Sequence, residues 1–196
     1  FYKTKNLPEI NDLREFIITI NSFKPDLIIA VGGGAVLDLA KISNCLYSDL
    51  NLEENIQNTE YKIKKFCPLV AVPTTAGSGA EATSNAVIYI DKTKYSIEGS
   101  MIKPDYILID PNLIMTTPKS VAAAAGMDAI AQAMESLISK RSNSESVEFS
   151  KKALEYLLSS FESHINKKSF ESAYRMSLGA LNAGKAINIS KTTAPH

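Results

Sequence analysis

The sequence predicts an α/β part with a parallel sheet over residues 1–117, followed by an all-helical part over residues 118–196. Three observations carry this reading. Short, continuously apolar runs bounded by Gly, Pro or Asp alternate with helical periodicity in the first part. Glycine-bearing turns directly follow two of those runs. After Pro118 the texture changes to long stretches rich in Ala, Leu, Glu and Ser, helical in period, with no strand signal between them.

Taken in order, Ile10, Leu13, Phe16, Ile17 and Ile20 recur at helical spacing, so residues 10–23 form a helix that Lys24-Pro25-Asp26 ends. The run Leu27-Ile28-Ile29-Ala30-Val31 is a buried strand. Gly32, Gly33 and Gly34 then turn the chain, and Val36, Leu37, Leu39, Ala40, Ile42 and Leu46 restore helical spacing over 35–46. The polar segment 48–65 is expected to be an exposed excursion. Leu69-Val70-Ala71-Val72 is a second buried strand ended by Pro73, and residues 86–90 and 106–109 are further strands. Apolar strands separated by helices imply a parallel sheet covered on both faces. Residues 120–139, 144–165 and 169–188 are helices, each opened by a Ser N-cap.

Composition narrows the function classes. Lys plus Arg and Asp plus Glu both number 21 in 196 residues, so no net field favours nucleic acid or an anionic membrane. No run reaches the roughly 18 apolar residues of a membrane helix, and the start lacks a signal-peptide pattern, so the cytoplasm is the expected compartment. Cys45 and Cys67 lack CxxC spacing and read as buried thiols rather than as a disulfide or zinc knuckle. A chain that opens on Phe1 and stops at His196 after a helical pattern is expected to be a piece of a longer protein, with the first strands of its sheet missing.

Two segments carry chemistry. In Gly32-Gly33-Gly34-Ala35-Val36-Leu37-Asp38-Leu39-Ala40-Lys41 the glycines let the backbone approach a ligand, and the following helix offers unpaired N–H groups with a positive dipole end. That suits a pyrophosphate, although the spacing is neither GxGxxG nor a P-loop. In Pro73-Thr74-Thr75-Ala76-Gly77-Ser78-Gly79-Ala80-Glu81, hydroxyls and glycines follow the second strand, where ligands of open α/β sheets bind.

These two segments, with Gly126-Met127-Asp128-Ala129-Ile130-Ala131-Gln132-Ala133-Met134-Glu135, resemble in order and spacing the signatures of the iron-containing alcohol dehydrogenases. The resemblance runs from Leu27 to His196. It implies a dinucleotide-binding domain followed by a helical metal-binding domain, a small aldehyde or alcohol substrate, NAD(H) or NADP(H) as cofactor, and a homo-oligomer. By the same resemblance Gly33, Gly34 and Ala35 contact the pyrophosphate, and Asp38 lies on the nicotinamide side with a catalytic role. Thr74, Thr75 and Ser78 bind nicotinamide and ribose. Lys94 matches a lysine at the cofactor ribose, though by its residue type alone it reads as a solvated surface charge.

The metal ligands are where the pattern breaks. The family binds iron or zinc through an Asp, a His four residues later on the same helix face, and two further His. Asp128 is present, but Gln132 stands in the second place and Thr192 in the third, and the remaining ligand lies beyond His196. Neither an amide nor a neutral hydroxyl replaces an imidazole well, so tight iron or zinc is not expected. Gln132, Lys191 and His196 are then the candidates to stabilise a developing alkoxide, with His196 the proton donor. The cationic stretch 184–196 resembles the subgroup that reduces phosphonoacetaldehyde, in which Lys185 and Lys191 would hold the phosphonate. Lysines near a helix end also serve its negative pole. His164, beside Lys167 and Lys168, is expected at the surface. The other readings are an enzyme like dehydroquinate synthase or glycerol-phosphate dehydrogenase, which share the architecture, and a non-catalytic nucleotide-binding homologue.

Overall fold

A computed structural model describes residues 1–3 and 7–193. The contacts divide the chain into two compact units, Phe1–Val72 with Ser84–Ile107 and Pro73–Thr83 with Leu108–His196.

The first unit is α/β. Helix α1 (Ile10–Phe23) buries Ile10, Leu13 and Ile20 and ends at Lys24, whose left-handed backbone lets its N–H reach the Ile20 carbonyl. The sheet has strand order β1 (Ile28–Gly32), β2 (Leu69–Pro73), β5 (Tyr106–Ile107), with β2 and β5 parallel and Val70 opposite Tyr106. Helix α2 (Gly34–Cys45) follows β1 directly and packs against it. Along β1, Ile28, Ala30 and Gly32 are buried, whereas Ile29 and Val31 are 60% and 52% exposed. Double coverage of the sheet, expected from the apolar runs, is therefore absent at β1 among the described residues.

Two further expectations are corrected. The polar segment after Ser48 contains α3 (Leu52–Asn58), whose Leu52 and Ile56 insert into the same core as Ile10, Leu13, Ile42 and Ile88. Only two apolar residues four apart are buried there, too few to show against the surrounding Asn and Glu. Residues 85–90 form β3 (Asn85–Ile90), which stands outside the parallel sheet and pairs antiparallel with β4 (Thr93–Glu98), from Asn85 opposite Glu98 to Ile90 opposite Thr93. The connecting residues Asp91 and Lys92 both have positive φ, 47° and 68°, the geometry of a tight hairpin turn.

The second unit is helical. After the short α4 (Pro111–Met115), α5 (Lys119–Ile138), α6 (Ser144–Asn166) and α7 (Phe170–Ser190) pack around Ile114, Ala129, Ala133, Leu157, Met176 and Ala180. Capping boxes open two of them: Asn143 with Ser146 for α6, and Ser169 with Ser172 for α7. Of the three Ser caps expected, only Ser169 holds that place; α6 is capped by Asn143, and α5 starts after Pro118 with no side-chain cap. Helix α5 is long and apolar enough to cross a bilayer by length and composition alone, yet Ala129, Ile130 and Ala133 are buried in this helical core.

His164 corrects the surface reading. It is 1% exposed, because it continues the stripe Ala153, Leu157, Ser160 at three- and four-residue spacing on the buried side of α6. Its Nδ1 has no hydrogen-bond partner, and burial, followed by the nearby Lys168, pushes its pKa below the ordinary value. The two cysteines are free and buried as expected; burial pushes the Cys45 thiol up to about 11, which keeps it protonated and unreactive.

Candidate functional site

In the first unit, β1 ends at Gly32, and α2 begins two residues later with Gly33 as its N-cap. A Cβ on Gly32 would lie 2.5 Å from Val36 Cβ, so glycine here permits the helix to follow the strand without a spacer. Val36 and Leu37 donate to the Gly33 carbonyl. The amides of Gly34 and Ala35 precede any intrahelical acceptor, and no side chain caps this end. Those N–H groups and the helix dipole face whatever lies beyond β1, which is how a phosphate group is held without a dedicated cation. Gly33, Gly34 and Ala35 are half-buried.

One turn on, Asp38 is tied down. Its Oδ2 accepts from the Val87 N–H at 3.0 Å, and its Oδ1 is 3.5 Å from Lys41 Nζ. Lys41 is fully buried and donates to the Asn85 carbonyl at 2.5 Å. Burial raises the Asp38 carboxyl above its ordinary value, against the lowering effects of Lys41, the Val87 N–H and Lys94. Lys94 is exposed on β4, opposite Tyr89. In the sequence Lys41 is the last residue of the glycine motif, and its residue type alone does not mark it as buried. The signal was its place at i+3 from Asp38, the spacing of an ion pair on one helix face.

In the second unit, the loop that leaves β2 is anchored by close backbone approaches. Gly79 has φ 60°, and a Cβ on it would lie 2.5 Å from Gly184 Cα on α7; a Cβ on Gly77 would lie 2.8 Å from Ala125 Cβ on α5. The Thr74 carbonyl accepts from Thr117 Oγ1 at 2.9 Å. Thr74, Thr75 and Ser78 are half-buried, with Ser78 Oγ accepting weakly from the Ala80 N–H at 3.4 Å. Glu81, at the end of this loop, is a buried carboxylate only 3% exposed.

Farther along α5, Gln132 is 3% exposed and its Nε2 donates to Asp128 Oδ2 at 3.0 Å, while Gln132 Oε1 is buried with no partner. Glu135, on the same helix, accepts from the Thr193 N–H at 2.8 Å, which brings the segment after α7 to α5. Lys185 directs its ammonium over the Phe149 ring, 5.5 Å from the centroid. Lys191 terminates α7 with φ 61°. Thr192 is half-buried, and His196 lies outside the described residues. No group of three or more His, Cys, Asp or Glu that could hold a metal ion occurs among the described residues.

A family model, iron-containing alcohol dehydrogenase, matches residues 1–111. The chain belongs to the iron-containing alcohol dehydrogenase family. It is 35% identical over 204 residues to the bifunctional aldehyde-alcohol dehydrogenase of Escherichia coli (strain K12), covering 95% of this chain and 23% of that protein. It is 37% identical over 119 residues to long-chain-alcohol dehydrogenase 1 of Geobacillus thermodenitrificans, covering 59% of this chain and 30% of that one. Among solved structures, a 1,3-propanediol oxidoreductase superposes with TM-score 0.89 at 27% identity, over 98% of this chain and 51% of that one. The sulfoacetaldehyde reductase of Bifidobacterium kashiwanohense, solved with NAD+, shares the fold with TM-score 0.95 at 24% identity, over 100% of this chain and 53% of that one. The chain thus spans about a quarter of the length of these curated relatives and about half of these solved structures.

The family name implies iron, and the residues that the sequence pattern assigns to its place, Asp128, Gln132 and Thr192, do not suit it. An Asp–Gln pair already hydrogen-bonded to itself, with Thr192 as the next member, offers one carboxylate and two neutral oxygens where imidazoles would suit a transition metal.

Proposed function

We propose that the protein carrying this chain is an NAD(P)H-dependent reductase of a small aldehyde. The observation that carries it is the uncapped α2 N-terminus at the end of β1, with Gly33, Gly34 and Ala35 at the turn and Asp38 one helical turn on. Membership of a dehydrogenase family, and relatives named for aldehyde and alcohol dehydrogenation, support the same reading. When bound, a reduced nicotinamide supplies hydride to the carbonyl carbon.

The chain's own residues then have distinct tasks. The Gly34 and Ala35 amides bind the pyrophosphate, and Thr74, Thr75 and Ser78 bind the nicotinamide-ribose portion. Asp38, fixed by Val87 and Lys41, orients a hydrogen-bond donor on the nicotinamide side, and Lys94 serves the ribose. The oxygen that receives negative charge needs a donor; the Gln132 amide already donates to Asp128, and the family resemblance offers Lys191 and His196 for that role and for proton delivery. An anionic aldehyde such as phosphonoacetaldehyde is the favoured substrate, with Lys191 as its charged partner. Lys185 would have to leave Phe149 to take part.

Loss of absorbance at the nicotinamide band when NADH or NADPH is mixed with the full-length protein and an aldehyde panel tests this. Oxidation is expected, fastest with an anionic short-chain aldehyde. The misfit at the metal position favours one second reading, a nucleotide-binding homologue without turnover, and nucleotide binding with no oxidation across the panel would establish it instead.

A further inference from the structure

We propose that Lys41 is a positioning residue of the cofactor site: its buried ammonium, held on the backbone of β3, fixes the Asp38 carboxylate for a hydrogen bond from the nicotinamide portion of the dinucleotide. This rests on the reading of Asp38 as a nicotinamide-side residue, and the experiment below separates the two.

Lysine is almost never fully buried unless it is paired. Lys41 is 0% exposed on α2, in a run with Leu39, Ala40 and Ile42 that are all buried too. An apolar residue there would spare the cost of taking a charge out of water, so the ammonium has a task that packing does not supply. It donates to the Asn85 carbonyl at 2.5 Å and lies 3.5 Å from Asp38 Oδ1, three residues back on its own helix. Two residues along β3, the Val87 N–H donates to the other carboxylate oxygen, Asp38 Oδ2, at 3.0 Å. Asn85 and Val87 thus grip α2 from one strand, through a ring of carbonyl, ammonium, carboxylate and amide. With one oxygen turned to Val87 and the other to Lys41, Asp38 has one orientation left. Its side chain is still 15% exposed, which leaves an edge for a donor from outside, and a carboxylate has about four acceptor sites. The charges that bear on it are Lys41 from α2 and Lys94 from β4. Burial raises the Asp38 carboxyl, and Lys41 is the strongest influence in the other direction. Without Lys41 the carboxyl would keep its proton to higher pH, turning an acceptor into a donor.

Calorimetric titration of the full-length protein and of Lys41→Met tests this, with circular dichroism to establish folding. The ligands are NADH or NADPH, whichever binds more tightly, and the matching ADP-ribose, which lacks only the nicotinamide. Expected in Lys41→Met is a loss of at least about tenfold for the nicotinamide dinucleotide, the scale of one hydrogen bond to a charged group. ADP-ribose should bind it as it binds the unmodified protein, and the acid-side fall in dinucleotide affinity should move to higher pH. Equal losses for the two ligands would mean a merely structural role and overturn the proposal, as would unchanged affinity or an unmoved pH profile. Should Lys41→Met not fold, Asp38→Asn is compared with Asp38→Asn plus Lys41→Met, since a neutral amide needs no buried cation beside it. Equal preference for the dinucleotide over ADP-ribose in those two supports the proposal, and a further loss of preference in the double variant overturns it. Asp38→Ala separates the premise from the inference. An unchanged preference in Asp38→Ala refutes the placement of Asp38, and with it the role of Lys41. A loss in Asp38→Ala with none in Lys41→Met refutes the role of Lys41 alone.

Discussion

Replacing Lys41 by methionine should destabilise the first unit far more than its surroundings suggest, and more at alkaline than at acid pH. Lys41 is 0% exposed and its ammonium serves two acceptors, the Asn85 carbonyl at 2.5 Å and Asp38 Oδ1 at 3.5 Å. Methionine fills a similar volume, so little packing is lost. What remains is a largely buried carboxylate that still accepts from the Val87 N–H. Breaking one side of a buried pair costs on the order of 3 kcal/mol, and the loss of the donor to the Asn85 carbonyl accounts for about 1 kcal/mol of it. The sign with pH follows from Asp38. Burial holds its carboxyl above the ordinary value and Lys41 is the strongest opposing influence, so removing the lysine raises it further. For an acid raised on folding, stability is full below the unfolded value of about 3.9 and is lost as pH rises through the folded one. The penalty of Lys41→Met should therefore be small near pH 4 and complete by pH 8, measured by urea denaturation followed by circular dichroism. Adding Asp38→Asn should recover most of it. A loss under about 0.5 kcal/mol at pH 8, the range of ordinary surface changes, would refute the reasoning, as would a double variant no more stable than Lys41→Met.

Two further outcomes follow from the helical unit. Gly184→Ala would ordinarily stabilise a helix by about 1 kcal/mol, but its Cβ would meet Gly79 O at 2.6 Å and Gly79 Cα at 2.8 Å, which are backbone atoms with little freedom to yield. Overpacking of this kind costs about 1–3 kcal/mol, so a lower melting temperature is expected, and an unchanged or higher one would show the contact to be looser than described. His164→Leu should flatten the acid limb of the stability curve. Burial and Lys168 depress the imidazole below 6.5, so its contribution is present above that value and lost as pH falls below it; urea midpoints that decline equally in both proteins between about pH 6.5 and 5, the span below the free imidazole value, would contradict this.

Most of the architecture was legible because the apolar runs and the glycine turn report backbone requirements directly. Leu69 to Val72 is a strand where its composition says so, and Ser169 caps α7 as its place before an apolar period implies. The hairpin was hidden because Asp91-Lys92 makes a turn with two positive φ angles that Asn-Gly usually announces. His164 was misplaced because neighbouring lysines say surface, whereas the decisive signal was its register with Leu157 and Ser160. At the candidate site, the glycine turn was visible as a motif. Two things needed coordinates: that the buried cation beside Asp38 is Lys41, and that the Gln132 amide is spent on Asp128. Residue type reveals which groups can bond, and only packing reveals which bonds are already made. The anchoring of the 73–83 loop was equally silent, since it rests on glycines that approach from distant parts of the chain, Gly79 against Gly184.

Calorimetric titration of the full-length protein with NADH and NADPH, set beside the variant Gly34→Asp, tests the central claim that the turn after β1 cradles a dinucleotide. Aspartate in the first turn is compatible with a helix start, so the fold should survive while a negative charge occupies the place of the pyrophosphate. Saturable binding of at least one nucleotide, abolished or weakened at least about a hundredfold in the variant, on the scale of two decades per roughly 2.8 kcal/mol, is the predicted result. Equal affinity in both proteins, or no nucleotide binding by the unmodified one, would contradict the account.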